Sequence, residues 1–171
     1  ALYILQKLQS EKYSSYANRA LYGLLLFEAL DKNSLPMQPI SLLNFSIDYY
    51  TSQNDKIRLG SCYLYKGRTY LNKNKFDLAT SEYLKALDNL KSEANYNILG
   101  EVYSDMGKIS SLQQQYKEAR GKYQLAAKNF TIVQKKSAIC YSMLGIGATY
   151  RCTKEYKIAL KYCYKVISQT N

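Results

Sequence analysis

The chain has 171 residues, 47% of them apolar, with two prolines and eight glycines, which fits one globular domain with a real core and excludes a disordered chain. It contains no histidine, so the commonest general base and the commonest metal ligand are both missing. Its 24 basic and 13 acidic residues leave a net charge of +11.

The elements follow in chain order. A short helix is expected at "ALYILQKLQ" (1–9), and a longer one at "ANRALYGLLLFEALDK" (17–32). The most apolar stretch, "ALYGLLLFEAL", has 11 residues and carries Glu28, too short and too polar to cross a bilayer. No signal peptide is visible, and a chain that starts at Ala1 reads as a processed or truncated piece. "DKNSLPMQP" (31–39) holds both prolines and is expected to be a loop. "ISLLNFSIDYY" (40–50) should be the partner helix.

From there the chain repeats itself. "NKNKFDLATSEYLKAL" (72–87) returns as "LQQQYKEARGKYQLAA" (112–127) and as "CTKEYKIALKYCYKVI" (152–167). At a spacing of 40, without gaps, Gly67 aligns with Gly107 and Gly147, Phe76 with Tyr116 and Tyr156, and Ala79 with Ala119 and Ala159. Tyr63 aligns with Tyr103 and Met143, and Tyr83 with Tyr123 and Cys163. Steps of four and three at 63, 67, 70 and at 79, 83, 86 mark one face of an α-helix. Each unit therefore holds two amphipathic helices, with turns near 72–74, 112–114 and 152–154. Gly67 and Ala79 remove bulk where helix axes approach, and Tyr63, Tyr70, Phe76 and Tyr83 fill the space beside them. No unit buries both helices alone, so units must stack.

The phrase "YLYKGRTY" followed by "KFDLATSEYLKAL" resembles the tetratricopeptide repeat (TPR). The resemblance covers residues 54–171 in three phases and implies an all-α, right-handed solenoid of stacked antiparallel helix pairs. The units are expected at about 60–99, 100–139 and 140–171, with 1–53 a degenerate N-terminal repeat of the same continuous domain. The 40-residue unit is longer than the usual TPR of about 34. Ser110 stands where Tyr70 and Tyr150 stand, Cys163 replaces an aromatic, and the proline that often ends the second helix is missing. The N-terminal part is similar to that of large bacterial TPR families. In many of these the repeats form the outward-facing sensor of a membrane-anchored protein, which implies a periplasmic location, with a cytoplasmic one as the alternative. Any membrane contact would then lie outside this chain.

Little in the chain supports catalysis. Cys62, Cys140, Cys152 and Cys163 form no CxxC pair and read as small, buried or half-buried hydrophobes; Cys152 and Cys163 are expected to be too far apart to bridge. The glycines are isolated within helices, so no phosphate-cradling loop is present. Glu101 and Asp105 share a helix face but read as a solvated or ligand-facing surface. No enzyme activity, metal or cofactor is expected.

A binding face is expected instead. The first helix of each pair lines the concave side of a curved stack, and its residues not used in packing should face the groove. They are Ser61, Leu64, Tyr65, Arg68 and Asn72, then Glu101, Ser104, Asp105, Lys108 and Ser111, then Tyr141, Leu144, Ala148 and Arg151. Such a groove suits an extended peptide or a partner helix. The lysine–asparagine clamp by which some TPR domains hold a peptide carboxylate is absent, because Leu64, Arg68 and Asp105 occupy its places. Charge adds a second surface. Lys157, Lys161 and Lys165 step by four along the last helix as an outer stripe, first read as a solvated face, then as a surface for an acidic protein or anionic membrane. Nucleic acid ranks last, since the interleaved tyrosines are already assigned to packing. Val166 and Ile167 should lie partly uncovered at the end of the stack, which offers a surface for self-association. The reading is a non-catalytic scaffold for a protein or peptide, with a ligand-sensing regulatory domain as the alternative.

Overall fold

The computed structural model describes residues 15–36 and 39–170. These residues form eight helices and no strand: α1 (Tyr16–Lys32), α2 (Ile40–Ser52), α3 (Lys56–Leu71), α4 (Phe76–Leu90), α5 (Tyr96–Leu112), α6 (Tyr116–Ile132), α7 (Lys136–Cys152) and α8 (Tyr156–Thr170). The helix expected at 1–9 lies outside the described residues. The fold class is all-α, of repeated helix pairs, as the 40-residue phase requires.

Three helix starts, those of α1, α3 and α5, are capped by short polar side chains. Asp55 accepts a hydrogen bond from the Arg58 amide at 3.0 Å, and Asn95 accepts from the Ile98 amide at 3.2 Å. Each satisfies one of the four amides that a helix start leaves without an intrahelical partner. The three pairs begin at Lys56, Tyr96 and Lys136. That is four residues before the expected limits of 60, 100 and 140, because the capping turn precedes the first aligned packing column.

Helix ends share one device. The backbone is left-handed at Ser34, Asn54, Asn74, Ala94, Gln114, Gln134 and Lys154, a strict spacing of 20. At Asn74 the amide donates to Leu71 O at 2.9 Å, and the next amide, Lys75, donates to Tyr70 O at 3.0 Å. This pair of bonds is the Schellman motif. The same pair closes α1, α2, α5, α6 and α7. The true half-period of the chain is thus 20 residues, one helix and one turn.

The chain divides into two compact units, Ala1–Glu93 and Ala94–Asn171. In the first unit α2 packs on both α1 and α3. There Ala20, Leu24, Phe27, Leu43, Ile47, Tyr50, Leu59, Cys62 and Tyr65 make one core. Ser46 is fully buried and donates its hydroxyl hydrogen to Ala20 O at 2.8 Å, so its burial leaves no lost bond. In the same unit Tyr83 fills the space over Gly67, where any Cβ would collide with the ring. In the second unit Tyr123 does the same between two helices. A Cβ at Gly107 on α5 would lie 3.0 Å from its ring, and one at Gly145 on α7 would lie 2.8 Å from it. Three helices therefore meet around one tyrosine, with Ala119 and Ile146 beside it.

Candidate partner-binding faces

The arrangement of helices within each unit decides which side chains are free. In the first unit α1 touches α3, and in the second α5 touches α7. Among the described residues the second helices of a unit, α2 and α4 or α6 and α8, do not touch. The first helices therefore make the inner layer of each unit. Their outward arcs are narrow, because each also packs on its own second helix.

That narrowness corrects part of the expected groove. Tyr65 is 7% exposed and belongs to the core of the first unit, and Leu64 is 1% exposed. Ser104 is also buried, on a helix that packs against both α6 and α7. These three are packing residues. Arg68 is a structural group as well. Its Nη1 lies 2.6 Å from Asp31 Oδ2 at the end of α1, and its guanidinium sits 5.8 Å from the Tyr65 ring. It ties α3 to α1. Asn72 is exposed but stands in the turn after α3, off the helix face.

In the second unit the expected residues separate into three groups. Glu101 accepts from Lys135 Nζ at 3.0 Å and from Asn97 Nδ2 at 3.3 Å, which ties the start of α7 to α5. Asp105 and Ser111 are half-buried beside the Tyr123 phenol. Burial pushes that phenol above its usual range. Lys108, Tyr141, Leu144, Ala148 and Arg151 are exposed on α5 and α7, with Tyr141 55% and Leu144 46% open. This last group is the exposed part of the expected set: two cations, a ring and apolar side chains on two helices in contact.

Two further surfaces were less legible. A cavity of about 750 Å³ opens at one end of the second unit, lined by Gln114, Tyr116, Lys117, Glu118, Arg120 and Thr153. Arg120 stacks 4.5 Å from the Tyr150 ring centroid there, and its Nη1 stands 4.0 Å from Glu155 Oε1. Sequence reading placed Gln114 and Thr153 in turns and Tyr116 in a packing column, and gave none of these residues a binding role. Lys157, Lys161 and Lys165 are all exposed, as expected for an outer stripe.

The cysteines are free. Cys62 is buried, Cys140 half-buried, and Cys152 and Cys163 exposed, so only the first two fit the expected small hydrophobes. Burial raises the Cys62 thiol well above its ordinary value, which keeps it an inert thiol. Among the described residues no group of three or more His, Cys, Asp or Glu side chains could hold a metal ion. No helix among them is long and apolar enough to cross a membrane.

No family model matches the chain, and no curated protein matches it. Solved structures do. The chain is similar to the apo form of RapI, with a TM-score of 0.70 and 14% identity over 98% of this chain. It spans about half of that protein, 47% of its length. It is also similar to BtubC from P. vanneervenii, with a TM-score of 0.70, 12% identity, and coverage of 97% of this chain and 68% of that one. At these identities the likeness shows the fold alone, and that fold is an all-α helical repeat.

Proposed function

We propose that this chain is a TPR-type scaffold that binds another protein or an extended peptide on the inner face of its first helices, without catalytic activity. The observation that carries the reading is the exposure of Lys108, Tyr141, Leu144 and Arg151 on two inner-layer helices that touch each other. A tyrosine ring and apolar surface supply contact area at small entropic cost, and flanking cations fix a ligand with carboxylates. The partner is thus an acidic or carboxylate-bearing segment. The long repeat matches the TPR pattern in its aromatic–small–aromatic order, and RapI and BtubC support the helical-repeat part of that assignment.

The test is capture from cell extract, with and without nuclease, using the wild type beside a Lys108→Ala, Tyr141→Ala, Arg151→Ala variant. A protein held only by the wild type, and indifferent to nuclease, supports the reading. Capture that survives the triple change and vanishes with nuclease would replace it with nucleic-acid binding by the basic half.

A second reading has its own support. Because the chain spans 47% of RapI, it has the dimensions of one module of a longer protein. In that case the same face senses a peptide signal and an attached effector responds. A ligand whose binding changes the activity of a covalently linked segment would favour the sensor over the scaffold.

A further inference from the structure

The cavity of the second unit holds about 750 Å³, the size of a small-molecule site. Its walls are the first turn of α6, from Tyr116 to Glu118, and Thr153 in the turn that joins α7 to α8. Each wall is continued by a helix of this chain, α6 on one side and α8 on the other. The cavity shares no residue with the inner-face set Lys108, Tyr141, Leu144 and Arg151.

Arg120 is the group that gives this cavity a chemistry. Its side chain is 19% exposed, and its Nη1 is buried with no hydrogen-bond partner among the described residues. Stacking 4.5 Å from the Tyr150 ring centroid holds the guanidinium but gives its N–H groups no acceptor. Glu155 Oε1 stands 4.0 Å from Nη1, beyond hydrogen-bond length, and already accepts from the Thr153 hydroxyl at 2.8 Å. A buried donor without an acceptor is costly, and helix packing does not require one here. Forty residues before and forty after, Thr80 and Leu160 hold the same place in the repeat. The cation is an addition to the repeat, made where a cavity lies beside it.

The lining selects the ligand. Arg120 and Lys117 set two positive charges against one negative charge from Glu118, a net +1. A phosphate dianion would meet both Glu118 and Glu155, whereas a single carboxylate matches the fork of one guanidinium in charge and in geometry. The half-buried Tyr116 ring lines the same space and offers an apolar wall. We infer that this cavity binds a small organic carboxylate with a planar apolar body, its carboxylate on the Arg120 guanidinium and its body against Tyr116. Exposed Lys117 stands at the rim and draws the anion in.

The probe is phenylacetate, with phenylacetamide and inorganic phosphate as controls, added to the intact polypeptide. Calorimetry reads the affinity, and the Arg120 Nε–Hε resonance reports the contact itself. Phenylacetate should bind with a Kd of about 1 mM or tighter, as a ligand of its size allows. Phenylacetamide keeps the shape and loses the charge, and it should bind about tenfold more weakly. Arg120→Thr, which copies the residue at 80, should weaken phenylacetate by about the same factor. The resonance shift needs no variant, so it decides the matter even where Arg120→Thr fails to fold.

The absence of both heat and a resonance shift at a phenylacetate concentration about tenfold above that Kd overturns the proposal. Equal binding of phenylacetate and phenylacetamide overturns it as well, and assigns the cavity to apolar contact alone. A folded Arg120→Thr variant that binds phenylacetate as the wild type does leaves Arg120 a packing residue. Phosphate that shifts the Arg120 resonance where phenylacetate does not would replace the carboxylate with a phosphorylated ligand.

Discussion

Single residues in this chain divide into those that hold helices together and those that face outward. Gly67 and Gly121 are a matched pair for testing that division. A Cβ at Gly67 collides with the buried Tyr83 ring, whereas one at Gly121 meets nothing within 4 Å. Gly67→Ala should cost about 1–3 kcal/mol by overpacking. Gly121→Ala should stabilise by about 0.5–1 kcal/mol, because alanine is the better helix former and the site is open. Urea melts of both variants decide the matter. Arg68 and Arg151 form a second pair. Arg68→Ala removes a charged hydrogen bond and leaves half-buried Asp31 without it, at about 1.5–3 kcal/mol. Arg151→Ala, on an exposed side chain, should stay within about 0.5 kcal/mol. Alkaline pH tests the buried acids. Burial raises Tyr50 to about 12 from its ordinary 10.0, and Cys62 is raised from 9.0. Each group is held in its neutral form by the fold, so its contribution is whole below its ordinary value. It is lost as pH rises through the raised one. Circular dichroism should show stability constant to about pH 9, then falling toward pH 12 together with the tyrosinate absorbance.

Helices and turns were legible to different depths. The 40-residue phase was plain because Gly67, Gly107 and Gly147 and the alanines of the second helices recur on one face. The 20-residue half-period was hidden. It depends on a left-handed turn residue, and the chain fills that place with Ser34, Asn54, Asn74, Ala94, Gln114, Gln134 and Lys154, never with glycine. Only the two asparagines favour such a backbone. Gln114→Gly should therefore stabilise by about 0.5–1 kcal/mol, read from the urea midpoint. The expected groove failed at Leu64, Tyr65 and Ser104 for a related reason. Four-and-three spacing identifies a helix's main packing face. A first helix here has two packing faces, one for its own partner helix and one for the next first helix. Arg68 was misread because Asp31, its partner, stands on another element 37 residues away, beyond the reach of any self-alignment.

At the scale of the molecule, charge and exposure fall together in the second unit. Residues 94–171 hold 12 basic and 4 acidic residues, a net +8, against 12 basic and 9 acidic, a net +3, in residues 1–93. The second unit's exposed cations include Lys108 and Arg151 on the first helices, Lys117 and Lys128 on α6, and Lys157, Lys161 and Lys165 on α8. On the proposed function, long-range attraction brings the partner in and apolar contact holds it, so the association rate should fall as salt rises while dissociation changes little. Hydrogen exchange on the captured complex tests the central claim most directly. The account predicts that the bound partner slows exchange in α5 and α7, around Lys108, Tyr141 and Arg151, and leaves the buried core of α6 as it was. Protection confined to the first unit, or no change in α5 and α7 with partner bound, would contradict it.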